Sequence, residues 1–444
     1  MREPREVLGS GAAGGGVLRM STHALGADGS TRPAGRLYYG WILVLALGVT
    51  EMVSYGTLSY AFPVFIAPMQ AELGWSATAI TGGFSLALLV AGAAAVPAGR
   101  WVDRHGARGL MACGSVVAAA VLLAWSGVEH LWEFYALSAA LGVAMAAVLY
   151  EPAFALVANW FVRMRGRALT VLTFLGGFAS VVFVPLATEL VRVHGWRQAL
   201  VWLAAILAVL TIPPHALLLR RRPEDHGLHP DGAREPSPRA ATVRTSSSDL
   251  RTLVHDASFP WLAASFGLAA LASTSVFVHL LPLLLERGYS PGFAASALGA
   301  VGLMALPGRL LFTPLGDRCP RSVVTAALFA AQALGLLALL SGQGPWASWA
   351  FVVLFGAGSG AITPARAALV ADVYGRERYG SVGGALALVV SIARASAPVG
   401  ASLVAVAGGY AALLSILVIL SIVAAAAVLA SARPIPIAST PALS

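Results

Sequence analysis

The stretch AITGGFSLALLVAGAAAVPA, residues 79–98, runs for twenty residues without a charged side chain, and runs of this kind recur along the chain. A helix of about 20 apolar residues crosses the ~30 Å hydrocarbon layer of a bilayer, and it satisfies its own backbone polar groups there. Soluble domains are about 25% charged; this chain of 444 residues is 11% charged and 58% hydrophobic, with a mean hydropathy of +0.78. The pattern predicts an all-α, polytopic membrane protein.

Apolar segments fall near 39–67, 77–98, 109–127, 131–160, 167–191 and 197–219, then near 258–285, 292–315, 321–341, 346–373, 380–406 and 409–431. The expected fold is twelve transmembrane helices in two pseudo-symmetric six-helix bundles. Between the sets lies RRRPEDHGLHPDGAREPSPRAATVRTSSSDLR, whose Pro, Ser and charge content cannot build a core. The domains expected are a disordered cytoplasmic tail (1–36), a first bundle (37–220), a cytoplasmic linker (221–256), a second bundle (257–432) and a cytoplasmic tail (433–444). Residues 1–36 lack the apolar core of a secretory signal peptide.

The formal charge of +9 comes entirely from arginine, since the chain has no lysine. One set of loops holds Arg100, Arg104, Arg108, Arg163, Arg165, Arg167, Arg318, Arg321, Arg376 and Arg378, while the opposite loops hold Arg192, Arg197 and Arg287. By the positive-inside rule the first set, the linker and both termini are cytoplasmic, in an inner (plasma) membrane. That distribution accounts for the basic charge without a nucleic-acid partner.

Sliding the second half on the first by 214 positions gives matches at separated places. Pro68, Glu72, Gly74 and Ser76 fall on Pro282, Glu286, Gly288 and Ser290; Asp103 and Arg104 fall on Asp317 and Arg318. Gly142 falls on Gly356, and Gly195-Trp196 on Gly409-Tyr410. Two copies of a six-helix unit each begin on the same side of the membrane, which makes a parallel repeat.

The loop GRWVDRHGAR, Gly99 to Arg108, concentrates three arginines, an aspartate and a histidine between two apolar runs, and PLGDRCPR echoes it weakly in the second half. It resembles the G-x-x-x-D-R-x-G-x-R motif of the major facilitator superfamily, through Gly99, Asp103, Arg104, Gly106 and Arg108. With Asp317 and Arg318, the resemblance implies a gating clamp that holds the halves together on the cytoplasmic side. Independently of the family, glycine permits a tight turn, a helix N-terminus favours a carboxylate, and arginine bridges carboxylates of a facing half. The stretch NWFVRMRGRALTVLTFLGGFAS, through Phe161, Arg165, Arg167, Ala168 and Leu169, is similar to the fifth helix of monocarboxylate transporters and the related oxalate/formate exchangers. YYGWILVLALGVTEMVSYG, GWSATAITGGFSL and HGWRQAL point the same way.

Ionisable side chains inside spans cost at least a few kcal/mol, so each is a candidate site. Glu51 and Glu151 lie near mid-depth in the first half; Arg309, Arg366 and Arg394 lie in the second, with His279 in the outer part of the seventh span. Pro152 beside Glu151 is expected to free a carbonyl and kink its helix. The arginines, with Tyr55, are the expected substrate-binding set, and Glu51 and Glu151 the proton-coupling candidates. Either acid has a plainer alternative, pairing with an arginine to fix packing. Arg309, eight residues before Asp317, has the spacing of the substrate-binding arginine in the resembled transporters; their acid one turn earlier is Ala305 here, and their lysine in the first helix has no counterpart.

FGAGSGAI, in the tenth span, loosely echoes a phosphate-cradling loop but follows no strand and fits close helix packing. HGLHP is a weak metal signal, and the lone thiols Cys113 and Cys319 lack metal-ligand spacing. No hydrolase motif or nucleotide-binding domain is encoded. The reading is therefore a secondary transporter working as a monomer with no cofactor or metal, moving a small organic anion with protons. The alternatives are proton-driven efflux of a drug or other metabolite and a non-transporting membrane sensor.

Overall fold

A computed structural model describes residues 38–233 and 257–431, apart from residues 317, 343 and 377 and the side chains of residues 77, 291, 295 and 313. The expected tails, most of the linker and the gating candidate Asp317 lie outside the described residues.

The described chain is helical with no strand. The first half comprises α1 (Tyr39–Tyr55), a π-helical segment (Gly56–Tyr60), α2 (Phe62–Leu73), α3 (Ala77–His105), α4 (Ala107–Trp125), α5 (Leu131–Val148), α6 (Tyr150–Trp160), α7 (Arg165–Gly176) and α8 (Ala179–Leu217). The second comprises α9 (Phe259–Glu286), α10 (Pro291–Gly316), α11 (Arg321–Ser341), α12 (Pro345–Tyr374) and α13 (Tyr379–Ser431).

These helices form ten continuous apolar runs where twelve crossings are expected. The two longest, Arg165–Leu217 and Tyr379–Ser431, each have 53 residues, about 80 Å if straight. Each is broken by a left-handed glycine, Gly195 (φ 78°) and Gly409 (φ 74°). An L-residue adopts that backbone only with strain. Divided there, the runs make twelve helical legs, and the two breaks are 214 positions apart, as the internal repeat requires.

The repeat also appears in the packing. A methyl group on Gly142 would run into the Ala87 carbonyl and Val90; on Gly356 it would run into the Val301 carbonyl and Met304. These neighbours too are 214 apart, so the same close helix contact is built in both halves. Gly358 and Gly360 face the Leu328 and Ala305 carbonyls in the same manner, so FGAGSGAI is a packing seam.

Three irregularities shape the middle of the first half. The π turn closes with Ala61 N–H donating to Gly56 O at 2.9 Å; such turns re-aim the side chains that follow. Leu149 is extended (ψ −171°) and separates α5 from α6. Pro152 has no N–H to continue the α5 ladder, yet it fits the first turn of α6. The third is the short break between α7 and α8.

Loops at the ends of α3, α6, α10 and α12 carry the arginines and define an arginine-rich end; the opposite end is the far end. Glu72 at the far end accepts from Trp196 Nε1 at 2.5 Å and Arg197 Nε at 2.7 Å, and Arg197 also donates to Ser126 O. At the arginine-rich end, residues 221–233 depart from the expected featureless linker. Asp231 accepts from the N–H groups of Val162, Arg163 and Met164 at 2.7–3.1 Å. Tyr38 donates to the carbonyls of Trp160 and His229. Burial and the neighbouring Asp231 charge push the Tyr38 phenol well up, keeping it a donor. Polar groups thus dock this stretch, with Leu228 packed against the core and Pro230 buried.

Helices α3 and α13 meet along a seam of small residues. Gly99 touches the Gly380 carbonyl, and Gly384 faces the Ala95 carbonyl. Gly99→Val is therefore expected to destabilise the protein by about 1–3 kcal/mol through overpacking. Thermal unfolding in detergent should show a Tm several degrees lower, whereas Gly109→Val, at a position with open space around it, should leave Tm unchanged.

Candidate functional site

A cavity of about 370 Å³ lies between the halves, walled by Arg309, Arg366 and Arg394 and by the rings of Tyr60, Phe266 and Phe277. Arg309 and Arg366 lie seven and eight residues from the arginine-rich ends of their helices, Gly316 and Tyr374, roughly 10–12 Å at 1.5 Å per residue. Arg394 lies deeper, level with Ser180 and Gly302, and Phe277 carries the wall further towards the far end.

Each arginine is held differently. Arg366 forms an ion pair with Glu151 across the two halves. Glu151 sits in the first turn of α6, where the helix N-terminus favours a carboxylate. Arg309 donates through Nε to Gly360 O at 3.1 Å and through Nη1 to Thr173 O at 2.6 Å. Both partners are backbone carbonyls, and among the described residues no carboxylate pairs with it. Arg394 is exposed on the cavity wall, and among the described residues its guanidinium makes no hydrogen bond or ion pair. Three guanidinium groups thus share the wall with one matching carboxylate.

Glu51 and Tyr55 stand behind that wall. Glu51 is fully buried, and neither carboxyl oxygen, nor the neighbouring Ser54 hydroxyl, has a hydrogen-bond partner among the described residues. The Tyr55 ring packs on Tyr150 at 4.7 Å and on Tyr60 at 6.4 Å between centroids. Tyr60, which the sequence did not single out, is the α1–π tyrosine that reaches the cavity. His279 lies apart, 3.3 Å from Ser402 Oγ.

The arginine-rich end is closed by cross-half contacts. Asp103 Oδ1 accepts from Gly380 N–H at 2.8 Å; Oδ2 accepts from Ser381 N–H at 2.7 Å and from its hydroxyl at 2.6 Å. The carboxylate thereby caps the N-terminus of α13, where unpaired N–H groups and the helix dipole both favour it. Gly99 admits the close backbone approach, and Gly106 (φ 84°) turns the chain from α3 into α4. On the other flank, Asp372 accepts two bonds from Arg321 at 2.8 Å and faces Arg165 of the first half at 3.6 Å. Arg376 pairs with Glu224 of the docked linker at 2.6 Å. Arg104, Arg108 and Arg318 are exposed, and their side chains make no hydrogen bond or ion pair among the described residues. Among the described residues at this end, the arginine that faces a carboxylate of the other half is Arg165.

Among the described residues, all cross-half hydrogen bonds and ion pairs lie between the cavity floor and the arginine-rich end. The cavity is sealed on that side and reaches towards the far end.

Comparison with known proteins agrees with this architecture. The chain is 24% identical to monocarboxylate transporter 13 of Bos taurus over 339 residues, 76% of either chain. It is 28% identical to human monocarboxylate transporter 11 over 350 residues, 73% of this chain and 68% of that one. Its fold superposes on the crystal structure of the transporter FucP in the outward conformation with a TM-score of 0.69 at 13% identity, covering 89% of this chain and 100% of that one. The resemblance to monocarboxylate transporters is thereby borne out, and the protein is a membrane transporter rather than an enzyme. The family model for the Major Facilitator Superfamily matches residues 47–398 and 288–442, and the chain belongs to that superfamily.

Proposed function

We propose that this transporter carries a small organic anion together with protons, exposing the cavity to the two sides of the membrane in turn. The observation that carries this reading is the uncompensated positive charge on the cavity wall: among the described residues, Arg309 and Arg394 form no ion pair with a carboxylate. A carboxylate entering from the far end would find two such guanidinium groups, each suited to bidentate bonds. The two similar relatives, both described as monocarboxylate transporters, support the same chemistry. Efflux of a cationic drug would call for a free acid on the wall, and Glu151 is already engaged by Arg366.

Proton coupling fits the ion pair between Glu151 and Arg366. Protonating Glu151 removes the pair, loosens a tie between the halves and frees Arg366 for the anion. Glu51, enclosed behind it, is placed to store a proton without touching substrate, since an unpartnered buried carboxyl is tolerated best when neutral. Tyr55 orders this group through its ring contacts. The bundles 37–220 and 257–432 are the bodies that rock, in a monomer. Gly99, Asp103, Arg104, Gly106 and Arg108, with Asp317 and Arg318, form the gate. The arginine-rich end, with both termini, faces the cytoplasm of a plasma-membrane protein.

In proteoliposomes, labelled lactate, pyruvate or oxalate should accumulate several-fold more when the outside is acid and the interior alkaline. Uptake indifferent to the gradient would contradict coupling. Arg309→Gln should lower uptake at least tenfold while the protein still folds; unchanged uptake would take Arg309 out of the site. Glu151→Gln should retain anion exchange but lose its response to the gradient. Asp103→Asn should slow uptake at least tenfold and leave anion affinity within about twofold, and a parallel loss of affinity would count against a gating role.

A further inference from the structure

The break between α7 and α8 falls at Gly177 and Phe178, on the cavity wall. Gly177 N–H donates to Thr173 O at 2.9 Å, and the same carbonyl accepts Arg309 Nη1 from the opposite half at 2.6 Å. A methyl group on Gly177 would fall on Arg309 Nη1, and would lie 3.0 Å from Phe174 O and 3.1 Å from Leu306 Cδ2. The vacancy is therefore walled on three sides, and Arg309 fills it.

We propose that Gly177 is a positioning residue: its missing side chain leaves the room through which Arg309 reaches the Thr173 carbonyl, so that the arginine offered to an anion is also a tie between the halves. An anion that draws Nη1 off that carbonyl replaces a cross-half bond with a bond to substrate. The exchange is local. Arg309 can keep its Nε bond to Gly360 O, which belongs to its own half, while the bond to the first half is lost. Binding then loosens the floor of the cavity at the moment the site is filled. The guanidinium is suited to this double use, because its five donors lie in a rigid fork and it keeps its charge throughout. The inference rests on the anion reading for what displaces the bond, but the tie itself exists without ligand.

The test compares ligand-free proteins. Spin labels are placed at the far end through Glu129→Cys in the first half and Trp346→Cys in the second, both exposed positions, on a background of Cys113→Ser and Cys319→Ser. Pulsed electron resonance then reads the ratio of far-end-open to far-end-closed distances. Gly177→Ala should raise the closed fraction relative to the open at least threefold, and Arg309→Gln should do the same. The double variant should match Arg309→Gln alone, because the glycine acts through the arginine. A Gly177→Ala distribution identical to wild type would overturn the proposal, as would a shift by Gly177→Ala of equal size when Arg309 is already Gln. If Gly177→Ala does not fold, Arg309→Gln by itself decides whether the tie biases the halves. Lactate and oxalate added to the wild type test the underlying reading separately: distances unmoved by either would be a failure of the anion reading, visible without any variant at Gly177.

Discussion

A guanidinium that keeps its charge inside an apolar helical assembly must be bonded, paired or wet, because an isolated ion in hydrocarbon is prohibitively costly. Arg309 is bonded only to carbonyls, and Arg394 is exposed to the cavity. Both line the cavity, where water or an anion can satisfy what the protein leaves open. The same arrangement holds positive charge ready for an anion at the depth where the two halves meet.

The seal uses a different chemistry from the cavity. At the arginine-rich end every charge that crosses between the halves finds a partner: Asp103 takes three donors at the start of α13, and Asp372 is shared by Arg321 and Arg165. Asp372 is exposed to water on one side while Arg165 is buried. The combined effect of these contacts depends on the glycine seam, which brings backbone to backbone and lets a short aspartate span the gap. Breaking the seal re-exposes groups that water can satisfy, which suits an interface that must open and close.

The halves are copies in backbone and specialised in charge. Positions 151 and 365 correspond, as do 152 and 366, and the residues there are Glu151 and Ala365, Pro152 and Arg366. Arg394 corresponds to Ser180, and both line the cavity. Acids have thus settled in the first half and arginines in the second at matching depth. An ion pair between them is necessarily a bond between the moving bodies. Much of this was legible beforehand. Apolar run length predicts the spans, the 214-residue offset predicts the matched glycine breaks, and the cost of intramembrane charge points to Glu151, Arg309, Arg366 and Arg394. What escaped depends on geometry that leaves no periodic trace. The π turn decides that Tyr60 rather than Tyr55 reaches the cavity. The sequence does not reveal that Asp372 rather than a loop carboxylate meets Arg165, or that backbone carbonyls hold Arg309. The linker residues 221–233 have little apolar content beyond Leu228 and two prolines, yet they dock, largely through one aspartate capping three N–H groups, one tyrosine and the Arg376–Glu224 pair.

The most direct test of the central claim is the reactivity of the arginines themselves. Phenylglyoxal attacks guanidinium groups that are accessible and unpaired, and mass spectrometry maps the adducts. In the ligand-free protein in nanodiscs, Arg394 and then Arg309 should be modified at least tenfold faster than Arg366 and Arg165, and a bound carboxylate should protect the first two. Equal protection of all four, or modification of Arg366 ahead of Arg394, would contradict a cavity that holds free positive charge open to one side.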